Sequence, residues 1–371
     1  MNTQLIDYEP SPNLWSAMRA RMHSERSFMA CNWFAPWGRH FLPEGRWTAP
    51  LRYCVCSSDD GQPAGLYPFA VQSLSGLKFI SLAGYYLPFR GIPVARDLYE
   101  EVCCSLADAF SNQKEGVALR LGLVQRHDPV VCRFLAELKK RKWRLHLLRE
   151  GDDCTAHLPP TLEEFDALVG RNVRKKTARK ERSMRQDGAF HIGLFTDLAR
   201  SEWARVLTSL GSIERQSWRA RKGGEMRFSG ARNTRFWLDV LGDPRASQMT
   251  KVWIIFLNGE PVSHAFGFDS GSYRYILAIS YAESVSRYRT GSIVFKYLFE
   301  DAIARGIEFL NLGLGDASYK RRWGAEPIQT LQDWIALRPG VLGGVISKLL
   351  RVRRVRRAGP GDMPSTSEDG G

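Results

Sequence analysis

Residues 251–268 read KVWIIFLNGEPVSHAFGF, two strand-length runs rich in β-branched and aromatic residues on either side of Asn258-Gly259. A tight hairpin with the twist that strands prefer needs positive φ at both central positions, which Asn and Gly tolerate, so this stretch must fold back as an antiparallel pair. YRYILAIS follows as a third strand, the loop AESVSRYRTG leads to SIVFKYLFEDAIARG, and IEFLNLGL is a further strand. In the helix, Phe295, Leu298, Phe299, Ala302 and Ile303 share one face, with Lys296 and Glu300 beyond its edge. A short helix and the run TLQDWIAL complete the series. Hairpin, strand, helix, strand, short helix, strand predicts a mixed α/β fold.

At 371 residues the chain exceeds what one core usually serves, so two domains are expected. Residues 1–150 give RYCVCSS, GLYPFAVQSL, LKFISLAG and VALRLGLV as strands, with DLYEEVCCSLADAFSNQ and PVVCRFLAELKKRKW as helices. The Gly/Pro-rich GYYLPFRGIP (84–93) reads as a loop presenting Tyr85, Tyr86 and Arg90. DCTAHLPPT (153–161) reads as a break, its paired prolines disfavouring helix, and Thr161 with Glu164 opens the next helix as a capping box. That helix carries Phe165, Val169, Val173, Thr177 and Met184 on one stripe. The expected division is 1–155, a basic connecting helix over 156–187, a second unit over 188–340, and a basic tail over 341–371.

The formal charge of +14 first suggests nucleic acid, but it is local. Residues 171–185 hold eight basic side chains against Glu181 alone, and residues 348–357 hold six with no acid, which leaves the rest of the chain nearly neutral. The seven cysteines all lie within the first 154 residues, without CxxC or Cys/His spacing, so neither disulfides nor a metal site is expected. MNTQLIDYEP lacks the basic region and apolar core of a secretory leader, and no apolar run approaches the roughly 18 residues of a membrane crossing. A cytoplasmic location is expected. The ending VLGGVISKLLRVRRVRR fits either a solvated helix or a peripheral contact with anionic lipid at the inner face of the membrane.

There is no GxSxG, HExxH or Walker loop, and the seven histidines form no cluster, which argues against a hydrolase triad, a zinc enzyme or a nucleoside triphosphatase. His264, on the hairpin, reads as packed there. Two places carry other chemistry. Arg287, Tyr288 and Arg289 precede Gly291 and the helix that begins at Ser292, and a helix start of this kind suits a phosphate. An ordinary strand-to-helix turn with exposed arginines fits the same residues. GDASYKRRWGAE (315–326) sets Tyr319, Lys320, Arg321, Arg322 and Trp323 directly after a strand, which fits a site facing developing negative charge, or a solvated turn with a tryptophan plug.

The order of hairpin, strand, phosphate loop, helix and strand resembles the GNAT acyltransferase fold. GDASYKRRWGAE resembles a signature of its Fem-related, cellulose-biosynthesis (CelD-like) acetyltransferase branch, and RNVRKKTARKERSMRQDG, IERQSW, NGEPVSHAFGF and RTGSIVFKYLFEDAIARG match it too. The resemblance covers about residues 160–335. Residues 1–150 join it more loosely through SFMACNWFAPW and GYYLPFRGIP, which implies two GNAT-like lobes, the first degenerate, each a mixed, mainly antiparallel sheet flanked by helices.

What this implies is direct attack by an amine or hydroxyl of a sugar, polysaccharide or envelope precursor on the thioester of acetyl-CoA or another acyl-CoA, with no metal. On that resemblance, backbone N–H groups near Ala278 and Ile279 polarise the carbonyl, and Arg289, Thr290, Gly291 and Ser292 hold the CoA pyrophosphate. Lys320 matches the lysine of the Fem FK/YK motif and stabilises the oxyanion, while Tyr319 protonates the leaving thiolate. Glu214 is the base to test, with an acid on the helix surface as its rival role. Tyr85, Tyr86, Arg90, Trp218, Arg171, Arg174 and Trp323 are the substrate-side candidates. In the usual GNAT loop pattern Gly291 fits, whereas Tyr288 and Ile293 stand at the outer positions. Fem enzymes take an aminoacyl group from charged tRNA, and in that alternative the arginine-rich helix contacts the tRNA backbone. A third reading is a non-enzymatic binder with degenerate lobes.

Overall fold

The computed structural model describes residues 1–22, 31–42, 50–74, 76–84, 90–113, 115–224, 226–315 and 318–357. The first half of the chain runs β1 (Asn2–Ile6), α1 (Pro12–Arg21), α2 (Cys31–Phe41), β2 (Arg52–Ser57), β3 (Pro63–Leu74), β4 (Leu77–Leu82), α3 (Tyr99–Asn112), β5 (Ala118–Gln125), α4 (Pro129–Lys140) and β6 (Arg144–His157). The second runs α5 (Leu162–Leu168), α6 (Arg171–Gln186), β7 (Phe190–Phe195), α7 (Arg200–Arg215), α8 (Trp218–Arg221), α9 (Ala231–Leu241), α10 (Pro244–Met249), β8 (Thr250–Leu257), β9 (Glu260–Ser270) and β10 (Tyr273–Tyr281). It ends with α11 (Thr290–Ala304), β11 (Phe309–Leu314), α12 (Ser318–Arg321), β12 (Ala325–Leu337) and α13 (Val341–Arg357). The hairpin forms as its turn requires, with Asn258 at φ 55° and Gly259 at φ 82° between β8 and β9.

The twelve strands of the described residues join one sheet in the order β1-β2-β3-β4-β5-β12-β6-β11-β10-β9-β8-β7. Every pairing is antiparallel except β4–β5 and β10–β11, which are parallel because a helix, α3 or α11, crosses over between their strands. The two halves therefore repeat one order: an edge strand, three antiparallel strands, a crossover helix and a parallel strand. The last strand of each half is exchanged. β12 lies against β5, β6 lies against β11, and the two exchanged strands pair with each other from Ala325↔Ala156 to Leu337↔Arg144.

β6 corrects the break expected at 153–161. Asp153 to His157 continue the strand, and Pro159 and Pro160 end it. The helix expected across 162–186 is two helices. The capping bond from Glu164 N–H to Thr161 Oγ1 (3.3 Å), the Thr161 half of the expected capping box, opens α5, but Val169 leaves helical geometry and Gly170 starts α6 anew. Arg174 closes the joint, donating to the Val169 carbonyl (3.1 Å) and to Asp166 (3.0 Å).

Layers of side chains cover the sheet. α3 and α4 bury Phe110 and Phe134 against Tyr67 and Phe69 of β3. α11 buries Leu298, Phe299 and Ala302 with Phe165 of α5 and Met184 of α6, the apolar stripe its sequence showed. A third layer joins the halves: Trp33 of α2 meets Trp237 of α9 edge-on (6.0 Å) and Phe268 of β9 (5.4 Å). Aromatic contacts of this kind contribute about 0.5–1.5 kcal/mol each beyond the area they bury.

Candidate functional site

The geometry that matters lies between β10 and β11. Their parallel ladder holds only Tyr273↔Phe309, Arg274↔Leu310 and Tyr275↔Asn311, yet β10 continues to Tyr281 and β11 to Leu314. Past that point the strands part. On the β10 side the cause is a bulge, since the register against β9 jumps from Ile276↔Gly267 to Ala278↔Phe266 and leaves Leu277 extra. Gly267 is required opposite it, because a Cβ there would sit 2.5 Å from the Tyr275 carbonyl oxygen. On the β11 side Gly313 takes φ 75°, where the pairing with β6 also becomes irregular. Residues 277–281, paired with β9 alone beyond the split, are only half-buried, as an open cleft demands.

Below the split the strands are clamped. Arg274 is fully buried over the Trp253 ring and binds Asp269 (2.7 and 3.0 Å), Asp301 of α11 (2.8 Å) and the Leu298 carbonyl (3.1 Å). Removing one member of such a buried group costs about 3–5 kcal/mol, so the closed end holds while the mouth stays open.

α11 begins beside this mouth. Arg289 stands in the left-handed region (φ 52°) as its cap, and the space where a Gly291 side chain would lie is open. The Thr290 hydroxyl is buried without a protein partner. The Ser292 N–H bonds the Arg289 carbonyl (2.9 Å), so what Ser292 offers a ligand is its hydroxyl. α6 ties the approach to this turn: Lys180 donates to the Arg287 carbonyl (2.6 Å), and the Tyr288 hydroxyl and Arg287 both bind Asp187 (2.5 and 3.2 Å). The hydrogen bond to Asp187 raises the Tyr288 pKa above its ordinary value. The sequence shows Lys180 and Asp187 only as part of a basic helix, because the partners that define their role lie about a hundred residues away.

Lys320 is buried, and its ammonium donates to three successive carbonyls, Gly313 (2.8 Å), Leu314 (2.9 Å) and Gly315 (2.8 Å). Burial lowers its pKa from the usual lysine value. All three protons of the ammonium point at the backbone, so in this geometry Lys320 braces the second arm of the cleft and does not face it. Tyr319, next along α12, is partly exposed and packs near Phe295 (5.9 Å). Behind the brace, Asp153 accepts from Asn311 (2.7 Å) and Gln329 (2.5 Å), and Asn311 in turn accepts from Gly313 N–H (3.0 Å). This polar cluster sits where the β10–β11 ladder ends, and only its polar residues within apolar strands could have signalled it.

Glu214 is not placed as a free base. Its buried carboxylate accepts from the N–H groups of Arg227 (3.0 Å), Phe228 (2.8 Å) and Ser229 (3.0 Å), which makes it the anchor of that turn. Phe228 then meets His264 edge-on (5.5 Å), where burial drives the imidazole pKa down to about 3. Trp218 is exposed at the start of α8, and the neighbouring Gln216 carbonyl accepts from Glu283 N–H (3.1 Å), which brings this segment beside the turn leading to α11.

The remaining substrate-side candidates separate. Trp323 is a correction: it is buried in the core, stacked on Phe299 (5.4 Å) and near Phe295 (5.7 Å), and cannot meet a substrate there. Arg174 closes the α5–α6 joint as described, whereas Arg171 is exposed. Arg90 lies in the first half against Gly122 of β5. Tyr85 and Tyr86 lie outside the described residues. Among the described residues no group of three or more His, Cys, Asp or Glu could hold a metal ion, and no helix is long and apolar enough to cross a membrane.

Residues 171–321, which hold the cleft, α11 and Lys320, match the family model described as Acetyltransferase (GNAT) domain. Among solved structures the fold is similar to that of FemX, with 12% identity, 94% of this chain and 99% of that one covered, and a TM-score of 0.58. It is also similar to L-PGS from Bacillus licheniformis, with 15% identity, 94% and 98% covered, and a TM-score of 0.53. A conserved protein of unknown function from Bacteroides thetaiotaomicron has 13% identity, 90% and 99% covered, and a TM-score of 0.51. No curated protein matches in sequence. At these identities the likeness to solved structures is one of fold, and the matched domain supports a transferase.

Proposed function

We propose that the chain moves an acyl group from an acyl-CoA thioester to an amine or hydroxyl of a sugar, polysaccharide or envelope precursor in the cleft between β10 and β11. The observation that supports this best is a coincidence of place. The strands stop pairing at Tyr275 and Asn311, and the open start of α11, with the unpartnered Thr290 hydroxyl, lies beside them. Arg289, Thr290, the backbone at Gly291 and the Ser292 hydroxyl would hold the pyrophosphate at the positive end of the helix.

The thioester supplies an activated carbonyl. Backbone N–H groups of the bulged stretch from Leu277 to Ile279 meet the charge that develops on its oxygen. The acceptor nitrogen or oxygen bonds to the carbonyl carbon and releases its proton to solvent, the carbon–sulfur bond breaks, and Tyr319 gives its phenolic proton to the leaving thiolate. Lys320 acts through the backbone by fixing the 313–315 turn, and Glu214 acts through the 227–229 turn. The acceptor class rests on the resemblance carried by GDASYKRRWGAE.

Thermal unfolding with CoA, acetyl-CoA and longer acyl-CoAs tests the donor. Ligand at about 100 times its dissociation constant should add roughly 2.7 kcal/mol, and Gly291→Asp should abolish that shift. No shift with any thioester overturns the CoA reading. One observation favours a second donor, charged tRNA: Arg171, Lys175, Lys176, Arg179 and Arg182 are all exposed along α6, whose Lys180 reaches the turn before α11. That reading predicts aminoacyl transfer that falls steeply with salt, and activity that survives ribonuclease removes it.

A further inference from the structure

The C-terminal helix α13 shows two features that the cleft does not use. One side docks on the sheet: Ile346 and Leu350 pack against Ala118, Ile335 and Leu337, and the buried Ser347 hydroxyl bonds His146 (2.9 Å). The other side leaves Val341 87%, Leu342 44%, Val345 51% and Leu349 60% exposed, a stripe at i, i+4 and i+8 with Leu342 beside it. Toward its end the helix carries Lys348, Arg351, Arg353, Arg354, Arg356 and Arg357, with no acid between 341 and 357.

We infer that α13 is a membrane-surface anchor that lays its apolar stripe among lipid chains and its basic end against anionic headgroups. It would lie along the bilayer rather than cross it, since at 17 residues it is roughly 25 Å long and its sheet-facing side is already occupied. An anionic bilayer is the occupant that uses both features. Nucleic acid would use the cations and leave the stripe in water. A second copy would bring six cations onto six, and four partly exposed side chains fall far short of the roughly 800 Å² per partner of a stable dimer. This inference does not depend on the acyl-transfer reading, and its test reads binding alone.

The full chain is sedimented with vesicles of phosphatidylcholine alone or of phosphatidylcholine mixed with phosphatidylglycerol, at low and high salt. Binding is expected to the mixed vesicles only and to weaken with salt, with partitioning lower by about fivefold for each basic residue of α13 changed to Gln. Val345→Asp with Leu349→Asp should abolish binding while thermal unfolding stays unchanged, because both side chains face solvent. The inference is overturned by three results: no binding to mixed vesicles, binding that survives the double substitution, or a stripe whose substitution dissolves a dimer seen without lipid. Lys175→Glu with Arg179→Glu on α6 is the control, and a loss as large as that from reversing Arg353 and Arg354 would also overturn it by moving the contact to α6.

Discussion

The two halves of the sheet meet the same topological event, a parallel pair formed across a helix, and treat it in opposite ways. β4 and β5 pair from Phe79↔Ala118 to Ser81↔Arg120, three residues as in β10 and β11. In the first half the chain returns and closes the gap: Arg90 donates its N–H to the Leu123 carbonyl (2.6 Å), bridges Val124 in parallel, and lays its guanidinium where a side chain on Gly122 would be. Its crossover helix α3 opens with Glu100 and Glu101 after Asp97; Asp97 pairs with Arg21 (2.9 Å) and Glu100 with Arg133 (2.9 Å), so these acids leave the start of α3 less suited to an anion than that of α11. In the second half the gap stays open, and α11 begins with no acid in its first turn. A shared strand order thus supplies a place for a site, and a few local residues decide whether there is one.

The comparison breaks if the open arm does not need its brace, so the largest effect is expected from Lys320→Met. Three carbonyls lose a charged donor, for a destabilisation of about 4 kcal/mol, and displacement of the 313–315 turn lowers turnover about 100-fold. Lys320→Arg should not restore either, because the three carbonyls converge on one nitrogen, whereas a guanidinium spreads its donors over three nitrogens in a plane. Turnover lost with stability intact would instead return Lys320 to direct contact with the oxyanion.

Glu214 offers the mirror image of Lys320, an anion holding three amides where the lysine is a cation holding three carbonyls. Glu214→Gln puts a donor where only acceptors fit and should cost about 3 kcal/mol in denaturant unfolding. A variant that is fully stable but inactive would make Glu214 a base after all.

Both charged residues stood out in the sequence as candidates, but the contacts they make were not legible there, because their partners are backbone groups that no side-chain pattern displays. The hairpin at Asn258-Gly259 and the apolar face from Phe295 to Ile303 were legible because each is written in neighbouring residues. The exchange of β6 and β12 was not. Ala325 pairs with Ala156 across a separation that leaves no local period, and Pro159-Pro160 carry the signal of a break although they only end a strand. Gly291 stood out for its place before a helix, whereas the open space around it, and Trp323's burial beneath that helix, are facts of packing.

His264 gives a smaller effect, also confined to the second half. Its folded pKa is about 3 against an ordinary value near 6.5, so the unfolded chain binds the proton more readily across that window. Stability is complete above about pH 6.5 and declines as the pH falls toward 3, by about 2 kcal/mol at pH 5. His264→Leu should flatten this limb in unfolding measured across pH. An unchanged slope would place the acid sensitivity elsewhere.

The smallest effect is the sharpest check on the comparison itself. If the first half is silent only because its helix start is acidic, Glu100→Gln with Glu101→Gln should create a second ligand site, visible as an added thermal shift with CoA. If it is silent because Arg90 already occupies the gap, the double variant should bind nothing new, and its stability should stay within about 0.5 kcal/mol of the parent, as for most surface changes. The second outcome is expected. Glu101 is exposed, so its charge acts only on what approaches from solvent, whereas the Arg90 backbone bond at 2.6 Å belongs to the sheet and remains when the charge is gone.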